Sequence, residues 1–308
     1  MERDSTILVT GANGFVGSNL VRYLETAGYR SVFGLTSSDC DLTDRRSVKR
    51  WFQECRPYYV FHLAARVRGI MGNMNGQGEG FLQNILINTH VVEACQEYRV
   101  KKVVALGTVA MYPNEPKDPS IGFCEDEIFD GPPHQSEYGY AQAKRAMLAQ
   151  LVTSGLAFAL PVSTNLYGPG DRFDIETGHC IPSLVRKAYE AKRDGTPLTV
   201  WGDGSARRDF LYARDVCRAL HVIMDRVTGP VNMAAGVTHS VKEAATILAN
   251  LAKVPLVFDT TKPTGQVIRQ YDVSMLRDAG FKTEYLLEEG LRATWEWYSQ
   301  NEHQARKH

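Results

Sequence analysis

The chain has 308 residues, 44% apolar and 23% charged, with 35 basic against 35 acidic side chains. That balance, without a long run of one sign, gives nucleic acid or an anionic membrane little to bind along, though a few local Arg and Lys could still meet a small anion. No apolar run approaches the ~20 residues that span a bilayer, and the start Met-Glu-Arg-Asp shows no signal-peptide pattern.

Six scattered cysteines, with no Cys-x-x-Cys and no His-rich spacing, read as reduced thiols used for packing. A cytoplasmic protein without a metal is therefore expected. Short apolar runs alternate with amphipathic ones through the first half. Strands are expected over 6–10, 31–35, 59–63, 103–106 and 157–166. Helices are expected where Val16, Leu20 and Leu24 share a face, then over 45–55, 81–98 and 140–151. Strands apolar throughout, separated by helices, imply a parallel sheet covered on both faces. After Tyr167-Gly-Pro-Gly-Asp the pattern shifts to helices over 182–193, 213–225, 242–253 (capped near Ser240), 274–279 and 286–297. Short strands lie between them at 198–200, 231–234 and 256–258. The expected architecture is α/β: a Rossmann-type, doubly wound domain over 1–166 and a smaller α/β substrate lobe over 167–308. Segments around 209–235 are expected to rejoin the first, and the tail 301–308 to fray.

The run Gly11-Ala12-Asn13-Gly14-Phe15-Val16-Gly17 follows a strand and opens a helix. Glycines there allow a tight turn and close backbone approach, and the helix N-terminus offers donors and a positive dipole to a pyrophosphate. Asp41-Leu42 after the second strand suits the adenine amino group, or else caps the helix at Arg45. Leu63, Ala64 and Ala65 end the third strand in small groups that let a dinucleotide lie across the edge, with His62 a packed strand residue. The second strand ends Gly34-Leu35-Thr36-Ser37-Ser38, with no acid for a free ribose 2′-hydroxyl. Hydroxyls there tolerate a 2′-phosphate, so NADP(H) is expected.

Thr108 ends an apolar strand just after Leu106, and Tyr140 and Lys144 stand four apart, hence on one helix face. An ammonium can hold a nicotinamide ribose and lower the phenol's pKa, the phenol can exchange a proton with a substrate oxygen, and the hydroxyl can polarise a carbonyl. A second Tyr-x-x-x-Lys, Tyr98 and Lys102, straddles a helix end and a strand start at the far edge of the sheet. It is set aside.

Together these residues resemble the extended short-chain dehydrogenase/reductase family, the NAD-dependent epimerases and dehydratases of nucleotide sugars, and within it the GDP-L-fucose synthase group. The likeness spans nearly the whole chain. It is carried by Ala64-Ala65-Arg66-Val67-Arg68-Gly69-Ile70, Leu106-Gly107-Thr108 with Met111-Tyr112-Pro113, Thr164-Asn165-Leu166-Tyr167-Gly168-Pro169 with Asp171 and Phe173, His179 with Ile181-Pro182, Val200-Trp201-Gly202-Asp203-Gly204 with Arg208-Asp209-Phe210-Leu211, and Lys262-Pro263 with Gly265.

The resemblance implies Thr108, Tyr140 and Lys144 as catalytic residues. It places Asn165, Leu166 and His179 against the nicotinamide and sugar, and Val109, Lys187, Trp201, Arg208 and Lys262 on the substrate. Arg208 suits a diphosphate because its fork is bidentate; Trp201 could instead be core. The group's acid–base couple for epimerising carbons 3 and 5 pairs a cysteine with a histidine. This chain matches the histidine with His179 but carries Ala110 for the cysteine, Asn13 for a glycine-loop arginine that meets the 2′-phosphate, and Lys187 for an arginine of the diphosphate region. Ala110 cannot move a proton, and Cys180, beside His179 in sequence, should point away from it. The implied activity is NADPH-dependent reduction at carbon 4 of a GDP-linked 4-keto-6-deoxy sugar, by a homodimer formed through the 81–98 and 140–151 helices, with Phe81, Leu82, Leu86 and Met147 as their apolar positions. Alternatives are the full epimerase–reductase, a 4-epimerase or 4,6-dehydratase retaining NAD, and a non-catalytic dinucleotide-sensing regulator.

Overall fold

The computed structural model describes residues 1–67, 76–262 and 268–306. Arg68, Gly69, Ile70, Pro263 and Gly265 of the runs above lie outside the described residues. The first half alternates as its apolar periodicity requires: β1 (Ile7–Thr10), α1 (Phe15–Thr26), β2 (Val32–Leu35), α2 (Arg45–Cys55), β3 (Tyr59–His62), α3 (Gln77–Glu97), β4 (Lys102–Ala105), β5 (Gly107–Thr108), α4 (Tyr138–Thr153) and β6 (Phe158–Ser163). The expected strand over 157–166 is broken at Thr164. Its N–H donates to Met233 O (3.3 Å) and its hydroxyl to Asp209 O (3.0 Å), so the chain changes partner and continues as β7 (Asn165–Tyr167) in another sheet. There follow α5 (Cys180–Asp194), β8 (Leu198–Trp201), β9 (Arg207–Tyr212), α6 (Ala213–Arg226), β10 (Gly229–Met233), β11 (Thr238–Ser240), α7 (Val241–Ala252), β12 (Leu256–Asp259), α8 (Ser274–Asp278) and α9 (Leu287–Asn301).

The main sheet runs β10-β6-β4-β3-β1-β2, with β5 also paired to β6, and every pairing in it is parallel. One face buries α2, α3 and α4 residues such as Phe52, Val91, Val92 and Leu148. The other buries α1 and α6 residues such as Leu20, Leu24, Leu220 and Ile223. With both faces covered the strands are apolar without alternation. Parallel strands also put all carboxyl ends on one edge, where open α/β sheets bind ligands.

A third core unites α5, α7 and α9 with the β11-β9-β7 and β12-β8 sheets. Strands β9 and β11 carry no apolar alternation of their own and were not expected. Local caps place the helices. Asp44, not Asp41, caps α2, accepting from Arg46 N (3.2 Å) and Ser47 N (3.1 Å). Ser240 and Glu243 form a reciprocal box at α7.

Two expectations fail. Met147, one of the apolar positions assigned to the dimer helices, is 1% exposed and packed in the subunit's own core. Phe81 and Leu82 are indeed exposed. The described part of the tail, through residue 306, does not fray: Ala305 is buried, and Phe173 N donates to Arg306 O at 2.8 Å. The six cysteines are all free, as their spacing suggested. Among the described residues no helix is long and apolar enough to cross a membrane.

Candidate active site

The glycine run turns tightly between β1 and α1. Gly11 has φ of +72°, and a Cβ there would stand 2.9 Å from the Ala64 backbone; a Cβ on Gly17 would stand 2.2 Å from Gly11 O. The close packing of loop, α1 and the β3 end therefore needs glycine at Gly11 and Gly17. Gly14 begins α1 with no side-chain cap, and the first turn, which includes Phe15 and Val16, holds no acid. The unpaired N–H groups of that turn are left for an anion, so this cradle fits a dinucleotide pyrophosphate.

Thr10 holds the cradle's floor. Its hydroxyl oxygen accepts from Leu63 N and Ala64 N (3.2 Å each) and lies 2.8 Å from His62 Nδ1. His62 Nε2 is 3.1 Å from Asn88 Oδ1, and Asn88 Nδ2 donates to Ala143 O at 3.4 Å. Since the Asn88 amide must donate to a carbonyl, its oxygen accepts from Nε2–H, which leaves Nδ1 to accept from Thr10. Burial and the nearby Lys144 charge press the His62 imidazole down to about 3. It is a neutral tie between the cradle and α4, in keeping with its reading as a packed strand residue.

Beyond β2, Asp41 Oδ1 accepts from Thr43 N (2.9 Å) and Oγ1 (2.7 Å), which closes a turn and removes the capping alternative. Thr36 is not free to meet a 2′-phosphate as its type suggested. Its N–H and hydroxyl both donate to Asp39 Oδ2, at 2.9 and 2.6 Å. Ser37 is exposed beside it, and Leu42 packs against the core.

Thr108 ends β5 opposite Ser163 of β6, and its Oγ1 accepts from Ala110 N at 3.3 Å. Lys144, 1% exposed, donates from Nζ to Leu106 O at 2.7 Å, which aims α4 at the strand end. Loss of solvent pushes its pKa down to about 8. The Tyr140 ring lies 6.0 Å from Lys144 Nζ. The expectation that this ammonium lowers the phenol's pKa is overturned: burial, with the Glu137 carboxylate adding to it, pushes Tyr140 up. A phenol that stays protonated at neutral pH is suited to give a proton rather than take one.

Ala110 is 5% exposed in the short turn after Thr108, so no acid faces the cleft from that position. Val109 O receives Arg269 Nη2 at 3.3 Å. Arg269 had no local signal in the sequence; it reaches the site from the loop before α8, with its guanidinium over Phe123 (5.3 Å).

His179 precedes α5 and is exposed, and desolvation, with the Arg172 charge adding to it, holds its imidazole below the ordinary value. The Cys180 thiol is pushed up to about 11 by burial, moderated by Arg208 and Lys187. Asn165 Nδ2 donates to Asp209 O (3.2 Å), and Leu166 packs against the α1–α6 core. Arg208 Nη1 is held by Arg207 O (2.7 Å). Trp201 is 51% exposed, which excludes core packing. Lys187 Nζ stands over its ring at 4.4 Å and Lys262 Nζ at 5.9 Å, so three residues distant in sequence share one cationic, aromatic surface. Lys102, of the discarded pair, instead caps α6 through Ile223, Met224 and Val227 carbonyls at the opposite edge of the sheet.

A parallel sheet with a glycine-lined anion cradle, and a buried lysine one turn from a tyrosine beside it, defines a dinucleotide-dependent oxidoreductase of short-chain dehydrogenase type. The chain belongs to the NAD dependent epimerase/dehydratase family, which matches residues 7–235. It is 33% identical to a GDP-L-fucose synthase of Dictyostelium discoideum, over 98% of each chain. Among solved structures it is similar to a GDP-L-fucose synthetase from Naegleria fowleri bound to NADP, with TM-score 0.87 and 29% identity over 100% of this chain and 98% of that one. It is also similar to a GDP-mannoheptose C4 reductase from Campylobacter jejuni with NADP bound, with TM-score 0.85 and 26% identity over 97% and 99%.

Proposed function

We propose that the protein reduces the carbon-4 ketone of a GDP-linked 4-keto-6-deoxy sugar with NADPH. The observation that carries this is the Lys144–Leu106 tie (2.7 Å), which places Tyr140 and Lys144 of α4 at the β4–β5 end where Thr108 stands. The named activities of the GDP-fucose synthase and GDP-heptose C4 reductase relatives support the substrate class.

Bound NADPH supplies the hydride. Gly11, Asn13, Gly14, Phe15, Val16 and Gly17 line its pyrophosphate, and Leu63, Ala64, Ala65 and Leu106 its path across the sheet edge. Thr108 donates its hydroxyl proton toward the substrate oxygen and polarises the carbonyl. Tyr140, kept protonated by burial, delivers a proton to that oxygen as charge builds on it. Lys144 holds the nicotinamide ribose while anchored to Leu106.

The lobe after residue 166 grips the diphosphate and base of the nucleotide through Lys187, Trp201, Arg208 and Lys262, with Lys187 and Arg208 the cations for the diphosphate. Asn165 and His179 border the sugar. With no acid presented at Ala110, reduction proceeds without efficient epimerisation at carbons 3 and 5. The functional unit is a homodimer through α3 and α4, resting on exposed Phe81 and Leu82; light scattering that finds only monomer at micromolar concentration refutes that assembly. The activity itself is tested by NADPH oxidation against a panel of 4-keto nucleotide sugars. Oxidation with the GDP-linked 4-keto-6-deoxy sugar supports it, and its absence across the panel refutes it.

A further inference from the structure

The last described turn of the chain is built into the cradle. After α9, residues Arg306 and Arg172 form a parallel bridge, with Phe173 N donating to Arg306 O at 2.8 Å and Ala305 buried beside it. From that anchor the Arg306 guanidinium donates through Nη2 to Gly170 O and through Nη1 to Asn13 O at 3.5 Å. Asn13 is the second residue past Gly11 in the glycine run. The Gly170 turn is itself tied to α1, because Asn19 Nδ2 donates to Pro169 O at 3.0 Å. The guanidinium therefore stands at the uncapped end of α1, against the loop that has Asn13 where its resemblance calls for an arginine.

Its charge is only partly offset there. Among the described residues Arg306 makes no ion pair, and the charged groups facing it are Asp171 and Arg172. Asp171, 3% exposed, accepts Arg172 N on Oδ1 (2.7 Å) and among the described residues has no hydrogen-bond partner on Oδ2; burial pushes its carboxyl up to about 7 against the pull of Arg306, so it balances the guanidinium in part. Two N–H groups of the fork are committed to carbonyls, and the planar head has five in all.

We propose that Arg306 is a phosphate ligand of the dinucleotide, brought to the glycine loop by the bridge between residues 172 and 306. This rests on the glycine loop being the cofactor site. The pyrophosphate is the phosphate addressed, because the guanidinium bridges the α1 end and the Gly170 turn rather than the β2 end at Thr36 and Ser37.

The test titrates NADPH and NADH into full-length wild type, Arg306→Met and Arg306→Lys by nicotinamide fluorescence, alongside cofactor-free melting. Arg306→Met should weaken binding roughly 10-fold, about the worth of one charge-assisted contact, with little change in cofactor-free melting. Equal losses for both cofactors assign the pyrophosphate, and a loss confined to NADPH assigns the 2′-phosphate; either supports a phosphate ligand. Unchanged affinity for both overturns it. Where Arg306→Met melts early, Arg306→Lys decides, since it keeps the charge but not the fork: a several-fold loss is expected, and wild-type affinity refutes the role. Wild type that binds neither cofactor would instead sink the reading of the loop, a separate result.

Discussion

Replacing Lys144 by methionine removes a charge that the fold holds at a cost. Burial displaces this ammonium from 10.5 to about 8. While the group is charged in both folded and unfolded chains, that displacement opposes folding by about 3 kcal/mol. Against it stands the Leu106 carbonyl, which accepts Nζ at 2.7 Å and would lose its partner at about 1–3 kcal/mol. Methionine fills a similar volume, so the variant should be equal to wild type or up to about 2 kcal/mol more stable at neutral pH, although inactive and weak for cofactor.

The pH dependence isolates the charge. The folded pKa lies below the unfolded one, so the wild-type deficit is full below about 8 and vanishes as pH rises toward 10.5. Between about pH 7 and 9.5 wild type should therefore gain roughly 2 kcal/mol relative to the variant. Urea unfolding of both proteins at the two pH values measures it. Parallel pH curves, or a variant several kcal/mol less stable at neutral pH, would refute the claim that Lys144 is a desolvated charge.

Tyr140→Phe should lower turnover by about 10²–10⁴-fold while NADPH titration stays near wild type, and near-normal turnover would remove its role as acid. NADPH should bind more tightly than NADH, despite Asp39 occupying the Thr36 hydroxyl; the reverse order in a direct titration would overturn that preference. With oxidised cofactor and the 4-keto substrate in heavy water, NMR should find carbons 3 and 5 mostly unlabelled. Ala110→Cys should raise their exchange, whereas fast exchange in wild type would restore the full epimerase–reductase reading.

Much of this protein lay open in local pattern. Apolar strands alternating with helices announced the parallel sheet, because that layering leaves no polar face to encode. Gly11 and Gly17 marked the cradle because a side chain would be strained at the +72° turn of the first and would meet Gly11 O at 2.2 Å from the second. Tyr140 and Lys144 declared a shared helix face by spacing alone. What depended on the fold was everything set by distant neighbours. The phenol's pKa rises because burial and the Glu137 carboxylate both disfavour the phenolate. Thr164 breaks an apolar run because Met233 and Asp209 offer its polar groups partners in different sheets. Trp201 stands outside the core because Lys187 and Lys262 meet over its ring. The tail composition, polar and charged, reads as loose chain. Only the folded molecule puts the Gly170 and Asn13 carbonyls where Arg306 can bridge them, since those contacts span nearly the whole sequence and leave no trace in any local stretch of it.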